Sequence, residues 1–263
     1  MSPTTVRVLA AAIAACLCTG ISSGRAAYPD RPVRLLVGFP PGGSTDAMAR
    51  IVQPGVEKLL GQSLVIENRA GASAMIAIDA VAKAMPDGYT LGVGGGGALG
   101  INFGFQEKMP YDPQKDIAPV TGLSASPFIF AAAPSFPGKT LQEVIALAKR
   151  QGDKLAIGHG GNGTLMHLTA EMFNQTAGTK VALVPYRGMA PVVTDLIGSH
   201  VPLGVIDPPS GMSAIEAGKI KAVAISSAMR FARLPDLPTF AEAGLPGFEA
   251  TGWFGIVALR LPT

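Results

Sequence analysis

Val33-Arg34-Leu35-Leu36-Val37-Gly38-Phe39-Pro40-Pro41-Gly42-Gly43-Ser44-Thr45-Asp46-Ala47-Met48-Ala49-Arg50 reads as a buried strand that runs through a glycine and proline turn straight into a helix. Val33 to Val37 is an apolar run. Ser44, Thr45 and Asp46 then offer N-cap chemistry ahead of a helical pattern carrying Met48, Ile51, Val52 and Val56. The first amides of such a helix have no intrahelical acceptor and sit at the positive end of its dipole, so the turn is an anion trap, and Gly42 and Gly43 let a ligand approach the backbone.

The same alternation continues outward from this unit. Helix to Leu60, strand Leu64 to Glu67, helix Ala74 to Lys83 and strand Thr90 to Val93 form one series. A second runs through strand Phe128 to Ala132, helix Leu141 to Arg150, strand Leu155 to Ile157, helix Leu165 to Ala177, strand Val181 to Val184, helix Ala190 to Ile197 and strand Leu203 to Ile206. Strands alternating with helices predict α/β lobes, each a mostly parallel sheet flanked by helices. Pro119 to Ala133 is read as the crossing between lobes, Ala222 to Ile225 as the return, and the Pro-rich Leu234 to Pro238 as the way back. The expected division is a leader over 1–26, lobe I over 27–121 with 231–263, and lobe II over 122–230.

The chain has 263 residues, 48% of them hydrophobic and 15% charged, enough for two cores. Its first 26 residues hold Arg7, an apolar segment, small residues and no acid, the pattern of a secretory signal peptide. Thr19, Ser22 and Ser23 break the apolar run short of the ~20 residues a membrane span needs. Gly24-Arg25-Ala26 fits cleavage before Ala27; Ile13-Ala14-Ala15-Cys16 offers the alternative of lipid anchoring at Cys16. Both cysteines, Cys16 and Cys18, lie in the leader, so the cleaved chain has no disulfide and no thiolate metal site. Without Arg7 and Arg25 it carries 19 basic against 18 acidic residues and no basic run, which argues against nucleic acid.

Three further loops follow strands: Gly94 to Gly97, Gly158 to Thr164 and Pro185 to Gly188. Ligands of open α/β sheets bind at the carboxyl ends of strands, and these loops are the places to look. Gly92-x-Gly94-x-x-Gly97 and Gly158-x-Gly160-x-x-Gly163 match the dinucleotide fingerprint, but neither has an acid ending the next strand to hold a ribose. No Gly-x-Ser-x-Gly elbow stands between a strand and a helix, there is no His-Glu-x-x-His, and His159, His167 and His200 are not spaced as zinc ligands, so no enzyme, metal or cofactor is expected. Asp46 falls where the helix dipole alone favours a carboxylate. Arg187 suits either a ligand carboxylate or a neighbouring acid, Asp207 either an ammonium or loop amides, Tyr186 the cleft wall, and His167 either a ligand or packing.

Six ordered motifs then carry a resemblance: Tyr28 to Pro32, Phe39 to Asp46, Glu67 to Ala72, Pro86 to Leu91, Val184 to Gly188 and Leu237 to Gly244. With these the chain resembles the Bug family, the receptors of tripartite tricarboxylate transporters. The resemblance implies a two-lobed periplasmic-binding-protein (Venus flytrap) fold, a monomer that closes on a small carboxylate through backbone amides and ordered water, and membrane transporter subunits as partners. Carried onto this chain, the implied ligand site comprises Phe39, Gly42, Gly43, Ser44, Thr45 and Asp46 from one lobe. From the other it takes Gly160, Asn162, Gly163, Thr164 and His167, with Tyr186 and Asp207 as outer members. Gly94 to Gly97 and the following Ala98-Leu99-Gly100-Ile101-Asn102 replace the serines and Ala-Ile-Asn turn usual in the family, and the family continues beyond Leu261-Pro262-Thr263. Two other classes are open: a sensor that binds the same ligand in the same site and differs only in passing the signal to a membrane partner, and an exported enzyme acting on organic acids, which the missing nucleophile and metal sets disfavour.

Overall fold

A computed structural model describes residues 27–105 and 108–261. The leader, with both cysteines, lies outside the described residues. The strands are β1 (Val33–Val37), β2 (Leu64–Asn68), β3 (Thr90–Gly95), β4 (Ile117–Pro127), β5 (Ile129–Ala132), β6 (Ala156–His159), β7 (Ala182–Pro185), β8 (Leu203–Ile206), β9 (Lys221–Ile225) and β10 (Thr251–Leu259). The helices are α1 (Ser44–Leu60), α2 (Met75–Ala82), α3 (Asn102–Phe105), α4 (Leu141–Gln151), α5 (Leu165–Ala177), α6 (Met189–Ile197) and α7 (Pro208–Glu216).

The strands form two five-stranded sheets, ordered β2-β1-β3-β10-β4 and β7-β6-β8-β5-β9. In the first, β10 is antiparallel to both its neighbours; in the second, β5 is. All other pairings are parallel. The sheets therefore share one plan, with a single reversed strand in the fourth place. β1 is central and apolar on both faces, with Val33, Leu35, Leu36 and Val37 all buried, as a strand covered by helices on both sides must be.

The crossings lie later than the sequence suggested. β4 does not end near 121 but continues in register with β10 to Pro127 opposite Thr251. Nor does the return fall near 231: β9 is an edge strand of the second sheet, and Phe240, Leu245 and Phe248 belong to its core, with Phe240 stacked on Phe248 and tilted against Phe130. The second core draws its residues from Phe128 to Phe248, and the two cores of the first sheet draw on neither this segment nor its helices. The link thus consists of Pro127–Phe128 and Ala250–Thr251. Ser226, fully buried, ties the two together: its Oγ accepts from the Phe128 N–H at 2.8 Å and donates to the Ala250 carbonyl, while its own N–H donates to Phe128 and its carbonyl accepts from Ala250.

β6 delivers His159 into the second lobe, 0% exposed, with Nδ1 3.2 Å from the Gly161 carbonyl and its ring stacked 4.7 Å from that of His167. Burial, reinforced by His167, pushes the imidazole down to about 4 against the opposing pull of the Gly161 carbonyl. Two predictions follow from these buried groups. Ser226→Ala leaves the Phe128 N–H and the Ala250 carbonyl short of partners, at a cost of about 2 kcal/mol, read as a melting temperature lowered by roughly 4–8 °C. Between pH 6.5 and 4 the unfolded chain takes up a proton that the folded His159 refuses, so stability is full above about pH 6.5 and is lost as pH falls toward 4. The loss is of the order of 3 kcal/mol, and denaturant titrations across this range should show it in the parent protein and a flatter profile in His159→Gln.

Candidate functional site

The carboxyl ends of β1 and β3 in one lobe, and of β6 and β7 in the other, border a partly open cavity of about 70 Å³. In that measure a water occupies roughly 10–15 Å³, so the space matches about five waters, or a short-chain organic acid. Its walls are Phe39, Pro40, Pro41 and Gly43 to Thr45, Ser73 and Ala74, Gly95 to Ala98, Gly160 and Thr164 to Met166, Arg187 to Pro191, and Gly252 to Phe254 of β10. Among the described residues no acid lines it, and Arg187 is the one charged residue on its wall.

The start of α1 is open. Gly43 at its N-cap has no side chain to offer, and the first turn closes only with Ala47 N–H donating to the Gly43 carbonyl, so the Ser44, Thr45 and Asp46 amides have no acceptor within the helix. Asp46 does not enter the cavity. Buried to 2% exposure, it accepts from the Gly42 N–H at 3.0 Å, from Arg50 Nε at 2.9 Å and from Asn68 Nδ2 at 3.0 Å. Burial raises its carboxyl, but these donors, Arg50 foremost, outweigh that and hold it below the ordinary range. Asn68 also donates to the Phe39 carbonyl, so one carboxylate and one amide fix the loop from behind and leave its front face bare.

In the second lobe α6 starts at Gly188, also without a side-chain cap and at φ +100°, a backbone that disfavours any residue with a Cβ. α5 is capped: the Thr164 hydroxyl accepts from His167 N–H and donates to the Gly161 carbonyl, which leaves the Leu165 and Met166 amides at the cavity wall. Residues at the starts of α1, α5 and α6 therefore line one space. The lobes are closed on each other, since the Ser73 hydroxyl donates to the Asn162 carbonyl and Asn102 Nδ2 lies 3.4 Å from that of Gly163. Gly163 has φ +74°, and a Cβ there would overlap the Asn102 amide.

Of the residues expected in the site, Phe39, Gly43, Ser44, Thr45, Gly160 and Thr164 line the cavity. Gly42, Asp46, Gly163 and His167 are not among the lining residues but bond within the loops that carry them, Asp46 accepting from the Gly42 N–H and His167 Nδ1 from the Gly163 N–H at 3.3 Å. Asn162 and Tyr186 line a neighbouring groove at the lobe edge. The Tyr186 hydroxyl donates to Asp195 at 2.7 Å, and burial with that carboxylate pushes the phenol up to about 12, so it stays neutral. Asp207 caps α7 through Ser210 N–H and faces a separate space behind the link. The expectation missed Ser73, Leu165, Met166 and the β10 residues. Gly95 to Gly97 and Arg187 also line the cavity; the glycines stand in a loop singled out by its place after a strand, and the sequence leaves Arg187 to either a ligand carboxylate or a neighbouring acid.

Comparison with known proteins agrees with this geometry. The tripartite tricarboxylate transporter family receptor (TctC) model matches residues 48–261. BugT of Bordetella pertussis is 36% identical over 232 residues, which cover 88% of this chain and 71% of BugT. Among solved structures, R. palustris Rpa4515 with adipate superposes at a TM-score of 0.86 with 37% identity, covering 90% of this chain and 79% of that one. MatC from Rhodopseudomonas palustris with bound malate gives 0.84 and 35%, over 89% and 79% of the two chains. This chain belongs to the tripartite tricarboxylate transporter receptor family, the Bug or TctC proteins, which are periplasmic solute-binding proteins rather than enzymes.

Proposed function

We propose that this protein is an exported, monomeric receptor that closes on a small carboxylate, holds it through the helix-start amides, and delivers it to the membrane subunits of a tripartite tricarboxylate transporter. The observation that carries the reading is the convergence of three helix N-termini on an acid-free cavity between two lobes. Two family members of the same fold bind the dicarboxylates adipate and malate.

Binding takes place with the lobes apart, about the short link at Phe128 and Ala250. Closure then excludes water, and in the low-dielectric interior each charge-assisted bond from an amide to the carboxylate is worth about 1.5–3 kcal/mol. The unpaired Ser44 and Thr45 amides accept this charge without rearrangement because Asp46 and Asn68 already set the loop. Few contacts join the lobes across the mouth, Ser73 to Asn162 and Asn102 to Gly163 among them, so the ligand is the main cross-link of the closed state. Opening at the transporter would release it.

The reading is tested by melting the purified protein against mono-, di- and tricarboxylates. A ligand at 100 times its dissociation constant adds about 2.7 kcal/mol, a rise of roughly 5–10 °C; no shift with any anion sinks the receptor assignment. The amide mechanism has its own test in Gly43→Asp. Gly43 has an extended backbone and space for a Cβ, 3.5 Å from the Pro40 carbonyl, so the variant folds. Its carboxylate caps the Thr45 and Asp46 amides, and calorimetric affinity for the ligand should fall at least about 100-fold while the ligand-free melting point holds or rises slightly.

A further inference from the structure

We propose that Arg187 reads the second anionic group of the ligand and makes this cleft selective for dicarboxylates over monocarboxylates of the same chain length. The inference rests on the receptor reading and deepens it. Among the described residues Arg187 is the one charged residue lining the cavity, and it also lines the neighbouring groove between the lobes.

Among the described residues Arg187 makes no ion pair and no hydrogen bond, whereas Arg31, Arg34, Arg50, Arg69, Arg230 and Arg233 each have an acidic partner. The acid nearest in the chain is already engaged, since Asp195 accepts from the Tyr186 hydroxyl and faces His200 at 3.5 Å. A cation left uncommitted at the rim of an acid-free cavity has a ligand anion as its natural partner, and the guanidinium fork matches a carboxylate in two parallel bonds.

Among the described residues no other side chain on the cavity wall carries a charge. Arg187 directly precedes Gly188, the N-cap of α6, so a carboxylate held at that helix start meets a full positive charge that the starts of α1 and α5 do not offer. A ligand with two carboxylates then spans the cavity from the amides of one lobe to the guanidinium of the other.

Calorimetric titration of the full protein with matched pairs, succinate against butyrate and adipate against hexanoate, tests this. The parent should favour a diacid over its monoacid by tenfold or more, Arg187→Gln should reduce that affinity ratio by tenfold or more, and Arg187→Lys should restore part of it. Arg187 is exposed, and an unchanged melting point checks that Arg187→Gln is folded. A ratio that is the same in parent and Arg187→Gln overturns the proposal and leaves the receptor reading intact. Failure of the parent to bind any carboxylate overturns both.

Discussion

Backbone amides that a helix cannot use for itself are the constraint around which this molecule is arranged. Every α-helix begins with N–H groups that lack an intrahelical acceptor, and a fold that buries them must supply one. Here α4 is finished with a capping box between Thr140 and Glu143, and α7 with Asp207. α1 and α6 begin instead at glycine, with no side chain to close them, and both starts face the same cavity as the half-finished start of α5. α1 and α6 are thus left open at the cavity, where α4 and α7 are closed by a side chain.

The one carboxylate buried beside the α1 loop holds the loop's shape. Asp46 draws the Gly42 amide, Arg50 and Asn68 together behind the loop, and Thr164 and His167 do the corresponding work on the Gly161 to Gly163 turn. The side chains that shape the loops are thus satisfied within the protein itself, and Asp46 positions its donors from behind the loop rather than from the cavity side.

Much of this was legible from local pattern. β1, α1, α5 and β8 fall where apolar period, N-cap residues and terminal glycines predicted them, since those signals act within one turn or one strand. What escaped was set by distance along the chain. β4 mixes exposed and half-buried residues, with Thr121, Ser124 and Ser126 interrupting its apolar ones, so it has no clean alternation, and it is a strand because β10, more than a hundred residues later, pairs with it. Phe240 and Phe248 looked like part of a return segment until their stacking placed them in the second core. The cavity residues on β10 were unreadable for the same reason. The glycines of the apparent dinucleotide fingerprints have a packing explanation: a Cβ at Gly92 would press on Val81 and Ile78, and one at Gly158 on Tyr186 and Val192.

β4 and β10 are antiparallel neighbours, and Pro127 lies opposite Thr251. In chain topology they are the two arms of a hairpin, and everything from Phe128 to Ala250 is its loop. Closing so long a loop by chance encounter is entropically costly, but the second lobe brings its own two ends together at Ser226 as it folds. The assembly order that this favours is inner lobe first, with the arms zipped afterwards and the outer sheet completed last. Pulse-labelled hydrogen exchange would read that order directly, and early protection of β10 ahead of β5 would reverse it.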